Sequence, residues 1–88
     1  MPSRVVALAN RRGLHARASA KFVTLASELS AAIEVEKDGN KVVGTSIMGL
    51  MMLGAAMGDE IRITTDGQGA DEALERLVAL VEGRFGED

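Results

Sequence analysis

Cysteine is absent from this 88-residue chain. That excludes disulfides, thiolate nucleophiles and cysteine-ligated metal sites, and it fits a reducing compartment. Aromatic residues are almost absent: Phe22 and Phe85 are the only two. The core must therefore be built from Val, Ile, Leu, Met and Ala, and there is no aromatic platform on which bases or sugars could stack. Histidine occurs once, at position 15, so the chain lacks a histidine relay and a His/Cys metal cluster. No apolar run approaches the roughly 20 residues needed to cross a bilayer. The longest, Ile47 to Met57, is broken by glycines. Nothing reads as a secretion signal. The expectation is a cytoplasmic protein with no membrane insertion, no metal and no cofactor.

What is present fits one folded domain over residues 1–88: the apolar fraction is 47% and the net charge is −3. The charge is unevenly spread. Arg4, Arg11, Arg12, Arg17 and Lys21 precede the first acidic residue, Glu28. From Ala70 onward the carboxylates Asp71, Glu72, Glu75, Glu82, Glu87 and Asp88 face only Arg76 and Arg84. A positive patch around the sole histidine would steer an acidic partner or a phosphate toward it. With net negative charge and few aromatics, nucleic acid is the weaker reading of that patch.

Alternation of apolar and polar residues predicts strands over Ile33–Lys37 and Asp59–Thr65; Arg4–Ala9, with Val5, Val6 and Leu8, and Lys41–Val43 read as further short strands. Asp38-Gly39-Asn40 reads as a hairpin turn. Helical spacing covers Ala16 to about Ser30, Ile47–Leu53 and Ala70–Gly83, with Asp71 and Glu72 suiting the positive end of the last helix. The order is β-α-β-β-α-β-α, an α+β arrangement that would bury its apolar stripes by stacking helices on one face of one sheet.

His15 lies between Gly13 and the start of the first helix, at or beside its N-cap. The first amides of a helix lack internal acceptors and favour an anion. A neutral imidazole is a nucleophile, and a phosphoryl group on it would face the Ala16, Arg17 and Ala18 amides and the Arg17 side chain. Position and composition alone also fit a histidine that merely caps a helix.

The residues around it narrow the choice. Gly13-Leu14-His15-Ala16-Arg17 resembles the active-site signature of HPr, the histidine-containing phosphocarrier of the bacterial phosphoenolpyruvate-dependent phosphotransferase system. Thr45-Ser46-Ile47-Met48-Gly49-Leu50-Met51 resembles that family's regulatory-serine segment, and the resemblance spans nearly the whole chain. It implies an open-faced β-sandwich of four antiparallel strands and three helices. It implies that phosphorylated enzyme I modifies His15 on Nδ1, that Arg17 pairs with the phosphoryl oxygens, and that a histidine of a sugar-specific or regulatory component accepts the group. It also implies that an HPr kinase/phosphorylase acts on Ser46. Two departures bear on pathway: Ala18 stands where the family often has proline, and Arg12 where it often has a small or uncharged polar residue. A nitrogen-regulatory branch is therefore open beside sugar transport.

Ser46 also reads simply as the cap of a short helix with core-filling residues. Met48, Met51 and Met52 are too many for one buried face, so Met48, Leu50, Met51 and Arg12 are expected to contribute a docking surface for partners. The expected protein is a monomer forming transient complexes, a carrier rather than a self-sufficient enzyme. The alternative is a regulatory binding module, switched by phosphorylation of His15 or Ser46, that carries no sugar-transport flux.

Overall fold

Alternation builds the sheet. The computed structural model describes residues 1–87. Strand β4 (Glu60–Asp66) buries Ile61, Ile63 and Thr65 while Glu60, Arg62 and Asp66 face solvent, the period of an extended chain with one covered face. Strand β2 (Ala32–Lys37) does the same with Ile33 and Val35. With β1 (Ser3–Ala7) and β3 (Asn40–Val43) they form one antiparallel sheet in the order β1-β4-β2-β3. The register sets Val6 opposite Ile61 and Val35 opposite Ile63, so the apolar side chains share a face. Glu36 lies opposite Arg62 on the uncovered face, where opposite charges pair favourably. Asp38 and Gly39 both have positive φ, 52° and 83°, as a two-residue hairpin loop that follows the strand twist requires.

Three helices cover the apolar face: α1 (Ala16–Glu28), α2 (Ile47–Met52) and α3 (Ala70–Glu82). Phe22, Leu50, Leu77 and Val81 are fully buried among the sheet's Val35, Ile61 and Ile63. The predicted element order and the open-faced four-stranded architecture both hold. Helix α1 stops two residues short of the predicted end because Leu29 turns extended, with ψ of 146°. Strand β1 ends at Ala7 rather than Ala9, although Leu8 still donates its amide to Asp59 O and accepts from the Gly58 amide.

One element was not predicted. After α3 the chain makes a 3-10 turn over Arg84–Gly86, with Arg84 and Phe85 left-handed at φ of 60° and 54°. Each such residue costs about 1–2 kcal/mol. Burial of the Phe85 ring, worth about 1.5–3 kcal/mol, offsets much of that. Lys21 Nζ donates to Phe85 O at 2.7 Å and ties the turn to α1. The tail is thus fixed against the first helix.

Gly13 fixes the loop between β1 and α1. Its φ is +62°, and a Cβ there would collide with the Ala55 carbonyl oxygen and the Ala56 backbone. Both constraints exclude a side chain. Gly13→Ala is predicted to lower stability by about 2 kcal/mol or more. Chemical denaturation checks it, and an unchanged midpoint would contradict the close approach.

Candidate functional site

Two hydrogen bonds close the turn that carries His15. The Gly13 amide donates to Asn10 O at 3.2 Å, and Asn10 Nδ2 donates to Gly13 O at 2.8 Å. Leu14 then donates its amide to Ala55 O at 2.9 Å, docking the turn on the loop after α2. His15 follows as the N-cap of α1, extended at φ −73° and ψ −179°. Its carbonyl accepts the Ser19 amide at 2.9 Å, the first helical bond. Its ring Nδ1 accepts the Arg17 amide at 3.2 Å, the capping role usually taken by Ser, Thr, Asp or Asn. Among the described residues no acceptor meets the Ala16 or Ala18 amide; Ala16 is exposed, so its amide is open to an anion at this helix end, whereas Ala18 lies beneath the surface. Ala18, where the resemblance would often have proline, is fully buried and keeps that amide.

The other ring nitrogen is also engaged. Nε2 lies 2.8 Å from Glu87 Oε2, and both side chains are mostly buried, at 20% and 16% exposure. An amide donating to Nδ1 and a carboxylate accepting at Nε2 define one tautomer: the proton is on Nε2 and the lone pair is on Nδ1. The second carboxylate oxygen, Oε1, accepts from Asn10 Nδ2 at 3.1 Å. Burial pushes the Glu87 carboxyl upward, but hydrogen bonds from Asn10 and His15, with the positive charge of the His15 ring when protonated and of Arg17, outweigh it and hold the group below the usual range.

Arg11, Arg12, His15, Arg17 and Glu87 line one surface recess of about 360 Å³. The site therefore gathers three guanidinium groups, one carboxylate and one nucleophilic nitrogen, a setting suited to a phosphoryl group. A larger groove of about 520 Å³ lies against β2, β3 and the C-terminal part of α1, lined by Ala26, Leu29, Ile33, Val42 and Val43. It shares none of the recess residues. Among the described residues no cluster of three metal-ligating side chains occurs, and no helix is long and apolar enough to cross a membrane.

Of the residues singled out in the sequence, His15, Ala16, Arg17, Ala18 and Arg12 come together here. Ser46 does not line the recess. It caps α2, accepting the Gly49 amide at 3.0 Å. Met48 and Met51 stand exposed on α2, at 69% and 41%, with Met52 and Ile47 beside them. Leu50 corrects the expectation of a four-residue docking surface: it is 0% exposed and fills the core, because it faces the sheet on a helix of only six residues. Asn10, Arg11 and Glu87 were not anticipated as site residues. Asn10 and Arg11 adjoin the motif, but Glu87 lies 72 positions from His15 and has no local signal linking the two.

Comparison with known proteins fits this geometry. Residues 2–83 match the PTS-HPr family, described as the PTS HPr component phosphorylation site. The phosphocarrier protein HPr of Neisseria meningitidis is 48% identical over 82 residues, covering 93% of this chain and 92% of that protein. The phosphocarrier protein NPr of Shewanella violacea is 43% identical over 84 residues, covering 96% and 92%. Among solved structures, HPr of Thermoanaerobacter tengcongensis superposes with a TM-score of 0.95 at 43% identity, covering 100% of this chain and 99% of its own. An HPr dimer from the same organism matches at a TM-score of 0.78 and 44% identity, covering 99% of this chain and 100% of that one. A histidine capping a helix beside an arginine-lined recess, on an open-faced β-sandwich, is the arrangement of a phosphocarrier. The chain belongs to the HPr family of the phosphotransferase system.

Because the Glu87 carboxyl is held below its unfolded value of 4.5, its contribution to stability is present above that pH and is lost as pH falls through the lower folded value. Glu87→Gln is therefore predicted to be less stable than the parent chain at pH 6, with the difference shrinking below about pH 4.5. Denaturation midpoints of both proteins across that range check the sign; a gap that widens on acidification would contradict it.

Proposed function

We propose that His15 is the phosphoryl carrier of this chain and that Nδ1 is the reacting atom. The observation that carries the reading is the split engagement of the ring, with Nε2–H donating to Glu87 and the lone pair on Nδ1 at the helix N-terminus. Phosphorylated enzyme I, charged from phosphoenolpyruvate, is the donor. The Nδ1 lone pair forms the new N–P bond, and the electron pair of the broken P–N bond returns to the donor's nitrogen. Arg17 and the Ala16, Arg17 and Ala18 amides then face the phosphoryl oxygens, with Arg11 and Arg12 adding positive charge. The Arg17 amide exchanges Nδ1 for a phosphoryl oxygen, so one donor serves both states.

Retention must stay moderate for a carrier. Charges at an exposed helix end contribute about 0.3–1 kcal/mol each, which holds a phosphoryl group without trapping it. A histidine of a sugar-specific or regulatory component takes the group next. The kinship with proteins named HPr and with one named NPr supports both a sugar-transport and a nitrogen-regulatory branch. Cytoplasmic location and action as a monomer in transient complexes belong to this proposal.

The exposed methionines of α2 supply the partner-docking surface with Arg12, and Ser46 is the site of a regulatory HPr kinase/phosphorylase. A phosphate on Ser46 would meet the amide end of α2, so the fold survives while charge enters the docking face.

Phosphoenolpyruvate-dependent labelling by the cognate enzyme I tests the carrier reading. An acid-labile phosphate on the parent protein and none on folded His15→Ala is expected; equal labelling of both would overturn it. Met48→Asp and Ser46→Asp are each predicted to slow that labelling by about tenfold while the fold persists, since Met48 is exposed and Asp at position 46 also caps a helix. Labelling rates, circular dichroism and site mapping after treatment with HPr kinase and ATP check this. Unchanged rates, or phosphate absent from Ser46, would remove the docking or regulatory role respectively.

A further inference from the structure

We propose that Glu87, held in place by Asn10, is a positioning residue that keeps the proton on His15 Nε2 through both halves of phosphoryl transfer. The inference rests on the reading of His15 as carrier and deepens it.

The carboxylate is held from two sides. Its Oε2 meets His15 Nε2 at 2.8 Å, and its Oε1 meets Asn10 Nδ2 at 3.1 Å. Asn10 is itself fully buried, and the same Nδ2 donates to Gly13 O at 2.8 Å. Its carbonyl Oδ1 is buried with no partner among the described residues. An unmatched buried acceptor is unfavourable, so the amide orientation has to be enforced by something else. Flipping it would turn the oxygen toward Gly13 O and the Glu87 carboxylate, two further acceptors. The orientation that costs a hydrogen bond is the one that grips Glu87.

The backbone before Glu87 is held as well. Arg84 and Phe85 adopt left-handed φ, Phe85 is buried, and Lys21 binds the Phe85 carbonyl. The Glu87 amide donates to Arg84 O at 2.8 Å. These constraints deliver one carboxylate to the side of the imidazole opposite the reacting nitrogen.

That location has a chemical consequence. When Nδ1 uses its lone pair to bond phosphorus, the ring keeps the Nε2 proton and gains positive charge, which the carboxylate offsets. When the group leaves, the N–P electron pair returns to Nδ1. With Nε2 protonated the departing ring is a neutral imidazole; without that proton it would be an imidazolate, a far poorer leaving group. A carboxylate fixing a histidine tautomer through its second nitrogen serves the same purpose in catalytic triads. Arg11, Arg12 and Arg17 line the same recess, and their positive charge offsets the repulsion between the carboxylate and a phosphoryl group.

The test compares the full-length chain with Glu87→Ala, Glu87→Gln and Asn10→Ala. Ring ¹⁵N spectra of the unphosphorylated proteins report the tautomer directly, and backbone spectra report folding. The parent chain is expected to be the Nε2–H form. Glu87→Ala should mix the tautomers and slow phosphoryl return to enzyme I by about tenfold or more. Glu87→Gln removes the charge and leaves one acceptor oxygen for two donors, Asn10 Nδ2 and His15 Nε2, so it should weaken the tautomer preference and lose transfer rate. Asn10→Ala should shift both readouts in the direction of Glu87→Ala. Folded Glu87→Ala with the parent tautomer and a return rate within about twofold would overturn the positioning role while leaving His15 as carrier. A parent chain that takes no phosphate on His15 would overturn both.

Discussion

The hydrogen bond from the Arg17 amide to His15 Nδ1, 3.2 Å long, sits where the chain changes from extended to helical. A helix start must satisfy its first amides, and here the imidazole is the cap. That assigns the two ring nitrogens different duties. Nδ1 faces the helix end with its lone pair, while Nε2 turns back toward the tail and Glu87. The turn of Asn10–Gly13, its docking on Ala55 and the buried Phe85 all serve to keep this one residue in place. In the proposed transfer, the helix end, three arginines and one carboxylate distribute the charge around His15.

The same economy explains why the site is shallow. A carrier must hold a phosphoryl group long enough to move it and release it to a protein of similar affinity for it. An enclosed cage with low dielectric would strengthen each contact and raise the barrier to release. A helix end and guanidinium groups at the surface remain screened by water and open to a partner's face. In the proposed function the apolar part of recognition is assigned to Met48, Met51 and Met52, which stand exposed on α2 and have the flexible side chains such a role requires.

Much of the fold was legible because it follows from periodicity. Ile61 and Ile63 alternate with charged or polar residues, and Leu74, Leu77, Val78 and Val81 recur at helical spacing; each pattern survives whatever it packs against. Asp38-Gly39 announces its hairpin through the conformations those residues tolerate. His15 and Arg17 were legible through local sequence and the motif around them. Leu50 was misplaced because a helix of six residues gives too little periodicity to tell its buried side from its exposed one. Glu87 was illegible for a different reason. Its contact with His15 depends on two left-handed residues, one of them a buried phenylalanine, and neither propensity nor spacing announces that conformation.

In the proposed transfer Nδ1, not Nε2, forms the bond to phosphorus. Phosphorylating uniformly ¹⁵N-labelled protein with enzyme I and phosphoenolpyruvate, then measuring ¹⁵N–³¹P coupling on the His15 ring, tests it most directly. Coupling is expected at Nδ1, with Nε2 retaining its proton. Coupling at Nε2 would mean that Glu87 is displaced rather than retained, and would contradict the proposed transfer.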